Sequence, residues 1–175
     1  MKKQREILMA GTGGQGLVLM ATLLAEAAMV DGNNVAQSQS YGVAQRGGFI
    51  SAEVVLSQGE VVFQQVRTPD IILALHGVVG GRYDAAQVPV LFDSTLFSKE
   101  LPQWHAVPFT QVARGLGVVK AANIVALGAM TALCDAVSMQ ALETVVRGKF
   151  RAEVAEANLK ALHLGRDAAL PYARA

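Results

Sequence analysis

Two short stretches carry residue types and spacings suited to chemistry. In the first, Gly11-Thr12-Gly13-Gly14-Gln15-Gly16, the glycines Gly11, Gly13 and Gly16 fit G-x-G-x-x-G directly after the apolar run Ile7–Ala10. Between a strand and a helix, the first glycine of that pattern permits a tight turn and the second lets the backbone approach a phosphate. The third lets helix and strand pack closely. N–H groups at the helix start, which have no intrahelical partner, would face the anion. A dinucleotide site also needs an acidic residue about twenty positions on to bond a ribose hydroxyl. That region reads Asn34-Val35-Ala36-Gln37-Ser38-Gln39, without a carboxylate, and Asp31 stands too early. An ordinary NAD site is disfavoured, and two readings stand: a phosphate site at the turn, or a tight turn alone. The extra Gly14 and Gln15 make the stretch more particular than a generic Rossmann turn.

The second stretch is Ser40-Tyr41-Gly42-Val43-Ala44-Gln45-Arg46-Gly47-Gly48, with three glycines and one unaccompanied positive charge. It reads as an exposed loop. The planar fork of Arg46 suits a phosphate or carboxylate, against the plainer alternative of a surface salt bridge. Tyr41 can stack on a ligand or pack at a subunit contact, and the contact is the preferred reading. Asn123 interrupts an apolar stretch, placed to cap a helix, to bond a neighbouring loop or to touch a ligand.

No catalytic constellation assembles from the rest. A nucleophile elbow, an H-E-x-x-H helix, a Walker lysine and a close cysteine–histidine pair are all missing. Asp93 and Glu53 read as structural carboxylates. Cys134 is the single cysteine, so an intrachain disulfide is impossible and the four thiolates of an ordinary iron–sulfur cluster cannot come from this chain. Its apolar neighbours mark it as a core thiol. His76, His105 and His163 lack metal-ligand spacing.

The elements that must position these stretches follow from pattern. Arg5–Ala10 predicts a strand, Leu17–Val30 a helix, Asp31-Gly32 a turn with Gly32 as its left-handed cap, and Asn34–Gln39 a second strand. Phe49–Ser57 alternates as a half-buried strand, and Ser57-Gln58-Gly59-Glu60 predicts a hairpin into Val61-Val62-Phe63. Ile71–Leu75 and Val88–Phe92 are runs of the kind buried on both faces. The spacing of 76–87 predicts a short helix frayed by Gly77, Gly80 and Gly81, and Trp104–Val107 a short edge strand. Ala121–Val137, Met139–Arg147 capped by Ser138, and Ala152–Leu164 stopped by Gly165 predict three closing helices, with 166–175 loosely held. The fold expected is α/β: a Rossmann-like, mostly parallel sheet with central strands Arg5–Ala10, Asn34–Gln39, Ile71–Leu75 and Val88–Phe92, an antiparallel hairpin extension and C-terminal helices. A single domain over 1–175 is expected.

Composition limits the partners. Formal net charge is only +1, which gives no electrostatic reason for nucleic acid or an anionic membrane. Arg46-Gly47-Gly48 occurs once and without repeats, so an RNA-binding reading is weak. The longest apolar stretches carry Glu26 and Asn123 and fall short of the ~20 residues that span a bilayer. With no signal-peptide pattern at the start, a cytoplasmic location is expected. Hydrophobic residues make up 52% and charged ones 17%, an apolar balance that leaves surface for another protein.

With these residues in hand, the chain resembles the gamma subunit of the 2-oxoacid:ferredoxin oxidoreductases, from Ile7 to about Gly165. The resemblance rests on Gly11-x-Gly13-Gly14-Gln15-Gly16, Ser40-Tyr41-Gly42-x-x-x-Arg46-Gly47-Gly48, Pro69-Asp70-x-x-Leu73-Ala74-Leu75, Asn123-Ile124-Val125-Ala126-Leu127-Gly128 and Asn158-Leu159-Lys160-Ala161, in this order. It implies a multi-subunit enzyme that decarboxylates a 2-oxoacid on thiamine diphosphate, passes electrons through iron–sulfur clusters to ferredoxin, and releases the acyl group on coenzyme A. Thiamine and clusters would be held mainly by other chains or domains, with this one beside them and inactive alone. On that reading Gly11, Gly13, Gly14, Gln15, Gly16 and Arg46 are the cofactor-facing residues, and Tyr41, Gly42, Arg46, Gly47 and Gly48 the subunit contact. Ser40-Tyr41 favours the 2-oxoglutarate type and Ala44-Gln45-Arg46 the indolepyruvate branch. The substrate is expected to be 2-oxoglutarate or a branched-chain 2-oxoacid ahead of pyruvate or an arylpyruvate. An independent nucleotide-binding module built on the glycine turn is the alternative.

Overall fold

The computed structural model describes residues 4–42 and 48–173. Six strands form one sheet in the order β2-β3-β1-β4-β5-β6, where β1 is Gln4–Thr12, β2 Asn34–Tyr41, β3 Phe49–Ser57, β4 Ile71–Ala74, β5 Val90–Asp93 and β6 Trp104–Val107. β1 pairs parallel with β4, β4 with β5 and β5 with β6. β3 is antiparallel to both β1 and β2, so it runs against the other five strands. The expected α/β class and mostly parallel sheet are what the structure has.

The helices are α1 (Leu17–Val30), α2 (Phe109–Gly115), α3 (Ala122–Leu133), α4 (Met139–Lys149) and α5 (Ala152–Ala173). They share the main core with one face of the sheet, presented by Ile7, Met9, Ile71 and Leu73. The alternate residues Leu8, Ala10, Ile72 and Ala74 face a smaller core with Val66, Tyr83, Ala86 and Phe97 from loops. A period of two along each strand produces this division, and it explains why β1 and β4 read as unbroken apolar runs.

Several expectations are corrected. The hairpin into Val61-Val62-Phe63 does not form, because both edges of β3 are already paired by β1 and β2. The segment beyond it is tied across the sheet by carboxylates instead: Glu6 accepts from the Arg67 and Thr68 N–H groups at 2.6 and 2.8 Å, and Glu53 from the Val66 N–H at 2.9 Å. Strand 34–41 lies at the sheet edge and not at its centre. β1 extends past Ala10 through Gly11 and Thr12, which pair with Ile50 and Phe49. α3 stops at Leu133, short of Val137, and only the three-residue 3₁₀ turn Gly77–Val79 stands where a frayed helix was expected. α2 has no counterpart in the sequence reading, since the seven residues Phe109–Gly115 are too few for a periodic signal.

The C-terminal tail differs most. Gly165 does not stop the helix: α5 continues to Ala173, Ala169 is buried, and the Tyr172 hydroxyl donates to the Ala106 carbonyl at 2.7 Å. Gly165 is a packing residue. A Cβ there would lie 1.9 Å from the Val125 carbonyl oxygen, and a Cβ on Gly128 would lie 1.9 Å from that of Leu162. The two glycines let α3 and α5 cross with backbone against backbone. The Ser138 cap of α4 is present as expected, its hydroxyl accepting from the Ala141 N–H at 3.0 Å, and Gly32 closes α1 at φ +79°.

Candidate functional site

The glycine turn lies at the carboxyl end of β1, where the chain leaves in one direction to α1 and β2 while β4, β5 and β6 extend the sheet in the other. In open α/β sheets this switch point is where ligands bind. β1 and β4 stay paired up to Ala10 and Ala74, and the Leu75 N–H still donates to the Ala10 carbonyl at 2.8 Å. Beyond that point they part, and a crevice opens.

Each glycine of the turn has its own physical reason. Gly14 and Gly16 take the left-handed backbone, at φ +86° and +74°, which side chains other than glycine adopt at a cost. Gly16 is also the N-cap of α1 and offers the first-turn N–H groups no side-chain acceptor. A Cβ on Gly16 would lie 2.3 Å from the Asn123 side-chain nitrogen. Asn123, buried at the start of α3, donates to the Gly16 carbonyl at 3.4 Å, which is the loop-bonding role among those open to it. Gly11 makes room for Gln15, since a Cβ there would stand 2.4 Å from the Gln15 amide oxygen. Gln15 is a strap between strand ends: its oxygen accepts from the Thr12 N–H at 2.8 Å and its nitrogen donates to the Leu75 carbonyl at 2.8 Å. Gly13 is the least constrained, with a Cβ meeting only Ile50 at 3.7 Å.

The second stretch reaches the same end of the sheet. β2 and β3 form a hairpin whose base is closed by the Gly42 N–H donating to the Phe49 carbonyl at 2.7 Å, and Phe49 pairs with Thr12 beside the glycine turn. Gly42 lies so close to Phe49 that a Cβ would come within 2.9 Å of that carbonyl oxygen. Tyr41 is exposed, and the Arg82 guanidinium sits 4.2 Å over the Phe49 ring. Gly48 is partly buried, while Arg46 and Gly47 lie outside the described residues.

A cavity of about 330 Å³ opens beside the turn, lined by Gly14, Gln15 and Asn123 together with Arg114 and Lys120. Sequence reasoning missed both cations. Arg114 belongs to the unforeseen α2, and Lys120 to a 3₁₀ turn before α3. Asp93 also lines this cavity, but its carboxylate is engaged: it accepts from the Thr110 hydroxyl at 2.5 Å, the Thr110 N–H at 3.1 Å and the Thr95 N–H at 3.1 Å. It serves the start of α2, consistent with a structural reading. Cys134 is remote from the cavity and buried, and burial pushes its thiol up to about 11. A thiol held so firmly protonated is a core group and not a nucleophile.

Residues 6–168 match the family model for pyruvate ferredoxin/flavodoxin oxidoreductase. The chain is 35% identical to the 2-oxoglutarate synthase subunit KorC of Archaeoglobus fulgidus, over 94% of this chain and 88% of that one. Among solved structures it is similar to the gamma subunit of a keto/oxoacid ferredoxin oxidoreductase from Geobacter sulfurreducens, with TM-score 0.83, 37% identity and coverage of 96% and 97%. It is also similar to part of the 2-oxoglutarate:ferredoxin oxidoreductase of Magnetococcus marinus, solved with 2-oxoglutarate, coenzyme A and succinyl-CoA bound. There the TM-score is 0.84 and the identity 26%, over 97% of this chain and 31% of that longer one.

Proposed function

The chain belongs to the pyruvate ferredoxin/flavodoxin oxidoreductase family, as the gamma subunit of a 2-oxoacid:ferredoxin oxidoreductase, and we propose that the complex it serves acts on 2-oxoglutarate. The observation that carries this reading is the 35% identity, over nearly the whole of both chains, to a 2-oxoglutarate synthase subunit. A branched-chain 2-oxoacid is the second candidate and an arylpyruvate the third, the latter favoured by Ala44-Gln45 before Arg46.

In such a complex thiamine diphosphate supplies the decarboxylation chemistry and iron–sulfur clusters carry the electrons. This chain's donor set does not fit a cluster, because its one thiol is buried and protonated at neutral pH. Its contribution is positional. The glycine turn and the hairpin base converge at one end of the sheet, and we assign that end, with Arg46, to the coenzyme A path and the contact with the thiamine-binding chains. The N–H groups at the start of α1 and the fork of Arg46 are suited to phosphate or carboxylate. We take residues 1–175 as one gamma-type domain acting in the cytoplasm. The test is to purify the assembled complex through this chain and assay coenzyme A-dependent ferredoxin reduction with 2-oxoglutarate, 2-oxoisovalerate, pyruvate and indolepyruvate. The highest kcat/KM should fall on 2-oxoglutarate, and a preference for pyruvate or indolepyruvate would overturn the assignment.

A further inference from the structure

We infer that the outer edge of β2, together with the groove beside Ser38, is a strand-addition site for an extended segment of another chain of the complex. The inference goes beyond the substrate and coenzyme A readings and rests only on the membership of this chain in a multi-subunit enzyme.

The two edges of the sheet differ. β6 is four residues long and lies between Pro102 and Pro108, and its Ala106 carbonyl is covered by the Tyr172 hydroxyl at 2.7 Å. Shortness, proline and a covering side chain each keep an edge from pairing with a further strand. β2 has none of these among the described residues. Its eight residues, Asn34–Tyr41, carry no proline and no charge, and their register on β3 runs without a bulge from Asn34 opposite Ser57 to Tyr41 opposite Ile50. The Gly42 N–H donates to Phe49, the residue opposite it, so by the alternation of an antiparallel ladder Ser40, Ser38, Ala36 and Asn34 also turn their backbone groups to β3. The N–H and C=O groups of Val35, Gln37, Gln39 and Tyr41 therefore point away from the sheet, and among the described residues no strand meets them.

A groove of about 470 Å³ lies beside this edge, lined by Ser38, Val62, Phe63, Gln64, Gln65 and Arg67. Val62 and Phe63 are 71% and 56% exposed. A strand laid against β2 would carry the side chain opposite Ser38 on the same face of the sheet as Ser38, and hence at the groove. Backbone pairing joined to a pocket for alternate side chains is how a sheet edge takes up an extended peptide. The occupant's chemistry follows. Opposite Ser38 it has a large apolar residue, to cover Val62 and Phe63. Next to that it has a carboxylate, because Arg67 is the charged residue lining the groove and the Glu53 carboxylate behind it is engaged by the Ser38 hydroxyl at 3.3 Å and the Val66 N–H at 2.9 Å. A second copy does not meet these terms. Paired antiparallel about a two-fold axis, its β2 would present Asn34, Ala36, Ser38 and Ser40 on that face, all small and uncharged. The area is also too small for a free dimer: an edge about 26 Å long and about 10 Å deep offers roughly 250 Å² a side, against about 800 Å² a side in stable interfaces. An edge of that size suits a segment whose parent chain is anchored elsewhere in the same assembly, where the effective concentration is high.

The test uses the assembled complex. Residue-resolved amide exchange should find Val35, Gln37, Gln39 and Tyr41 protected together with Ala36 and Ser38. Phe63→Ser should speed exchange at the first four by about tenfold, the scale of one backbone hydrogen bond, and leave Ala36 and Ser38 unchanged because their bonds run to β3. A benzophenone amino acid in place of Gln64, activated by light in the purified complex, should capture one stretch of another subunit in which an apolar residue stands next to Asp or Glu. This second measurement leaves Phe63 intact and so stands even if Phe63→Ser does not assemble. The inference is overturned if the four outward amides exchange freely in the parent complex, or if Phe63→Ser leaves their exchange unchanged. It is equally overturned if the cross-link falls on a second copy of this chain or on no protein at all. Neither readout involves the oxoacid or coenzyme A, so this inference and the proposed substrate can fail separately.

Discussion

Alanine substitutions through Gly11, Gly13, Gly14 and Gly16 should separate sharply in stability, because the four positions differ in backbone conformation and in what a Cβ would meet. Gly13 has neither a positive φ nor a close neighbour, its nearest contact being Ile50 at 3.7 Å. Gly13→Ala should therefore stay within about 1 kcal/mol of wild type. At Gly14 the space is open but φ is +86°, so Gly14→Ala carries only the left-handed penalty of about 1–2 kcal/mol. Gly11→Ala displaces the Gln15 amide, 2.4 Å from the new Cβ, and with it the bonds to Thr12 and Leu75. Two hydrogen bonds at roughly 1 kcal/mol each make that about 2 kcal/mol. Gly16→Ala combines the backbone penalty at φ +74° with displacement of Asn123, 2.3 Å away, for about 3 kcal/mol. For a chain of this size 1 kcal/mol is worth about 2–4 °C, so the spread between Gly13→Ala and Gly16→Ala should be near 10 °C in thermal unfolding. If Gly13→Ala were the most damaging of the four, or if all four fell together, the assignment of separate roles would be refuted.

At the α3–α5 crossing, Gly128→Ala or Gly165→Ala places a Cβ 1.9 Å from a backbone carbonyl oxygen that no rotamer change can move. Each should cost about 3 kcal/mol or more, measured by denaturant midpoint, because the helices must part to admit it. Cys134 should resist a thiol reagent at pH 8 in the folded chain and react on unfolding. Burial favours its neutral form, so this contribution to stability is present below the unfolded value near 9 and is lost as pH rises towards about 11. Rapid labelling of the native protein would contradict it. Arg46→Ala should weaken assembly or raise KM for coenzyme A, and Arg46→Lys should restore only part, since an ammonium lacks the fork. Variants that assemble and turn over like the parent would make the loop an ordinary surface loop.

What was legible in the sequence was set by local pattern. β4 is short, apolar and β-branched, β6 is bounded by prolines, and Ser138 sits at the residue where α4 begins, so each could be read without knowledge of its neighbours. The misread hairpin and the misread helix stop both required knowledge of distant partners. Val61-Val62-Phe63 has strand character, but strand pairing needs a free edge, and β2 and β1 had taken both. Gly165 has the look of a helix stop because glycine is a common cap; its real function is set by Val125 on another helix. The candidate site divided in the same way. The glycine turn announced itself through spacing, and its neighbourhood with the Gly42–Phe49 hairpin base follows from the register of β1 on β3. Arg114 and Lys120 carried no motif at all. They join the site because a helix of seven residues, started by a buried Asp93, turns the chain back over the strand ends.

Amide hydrogen exchange on the assembled complex, with and without coenzyme A, addresses the central claim that this end of the sheet faces the coenzyme path. Coenzyme A should slow exchange in peptides covering Gly13–Leu19 and Gly42–Phe49, at the turn and the hairpin base, and leave the loop at 58–70 beyond the opposite end of β3 unchanged. Protection confined to 58–70, or no change in either of the first two peptides at saturating coenzyme A, would contradict the account.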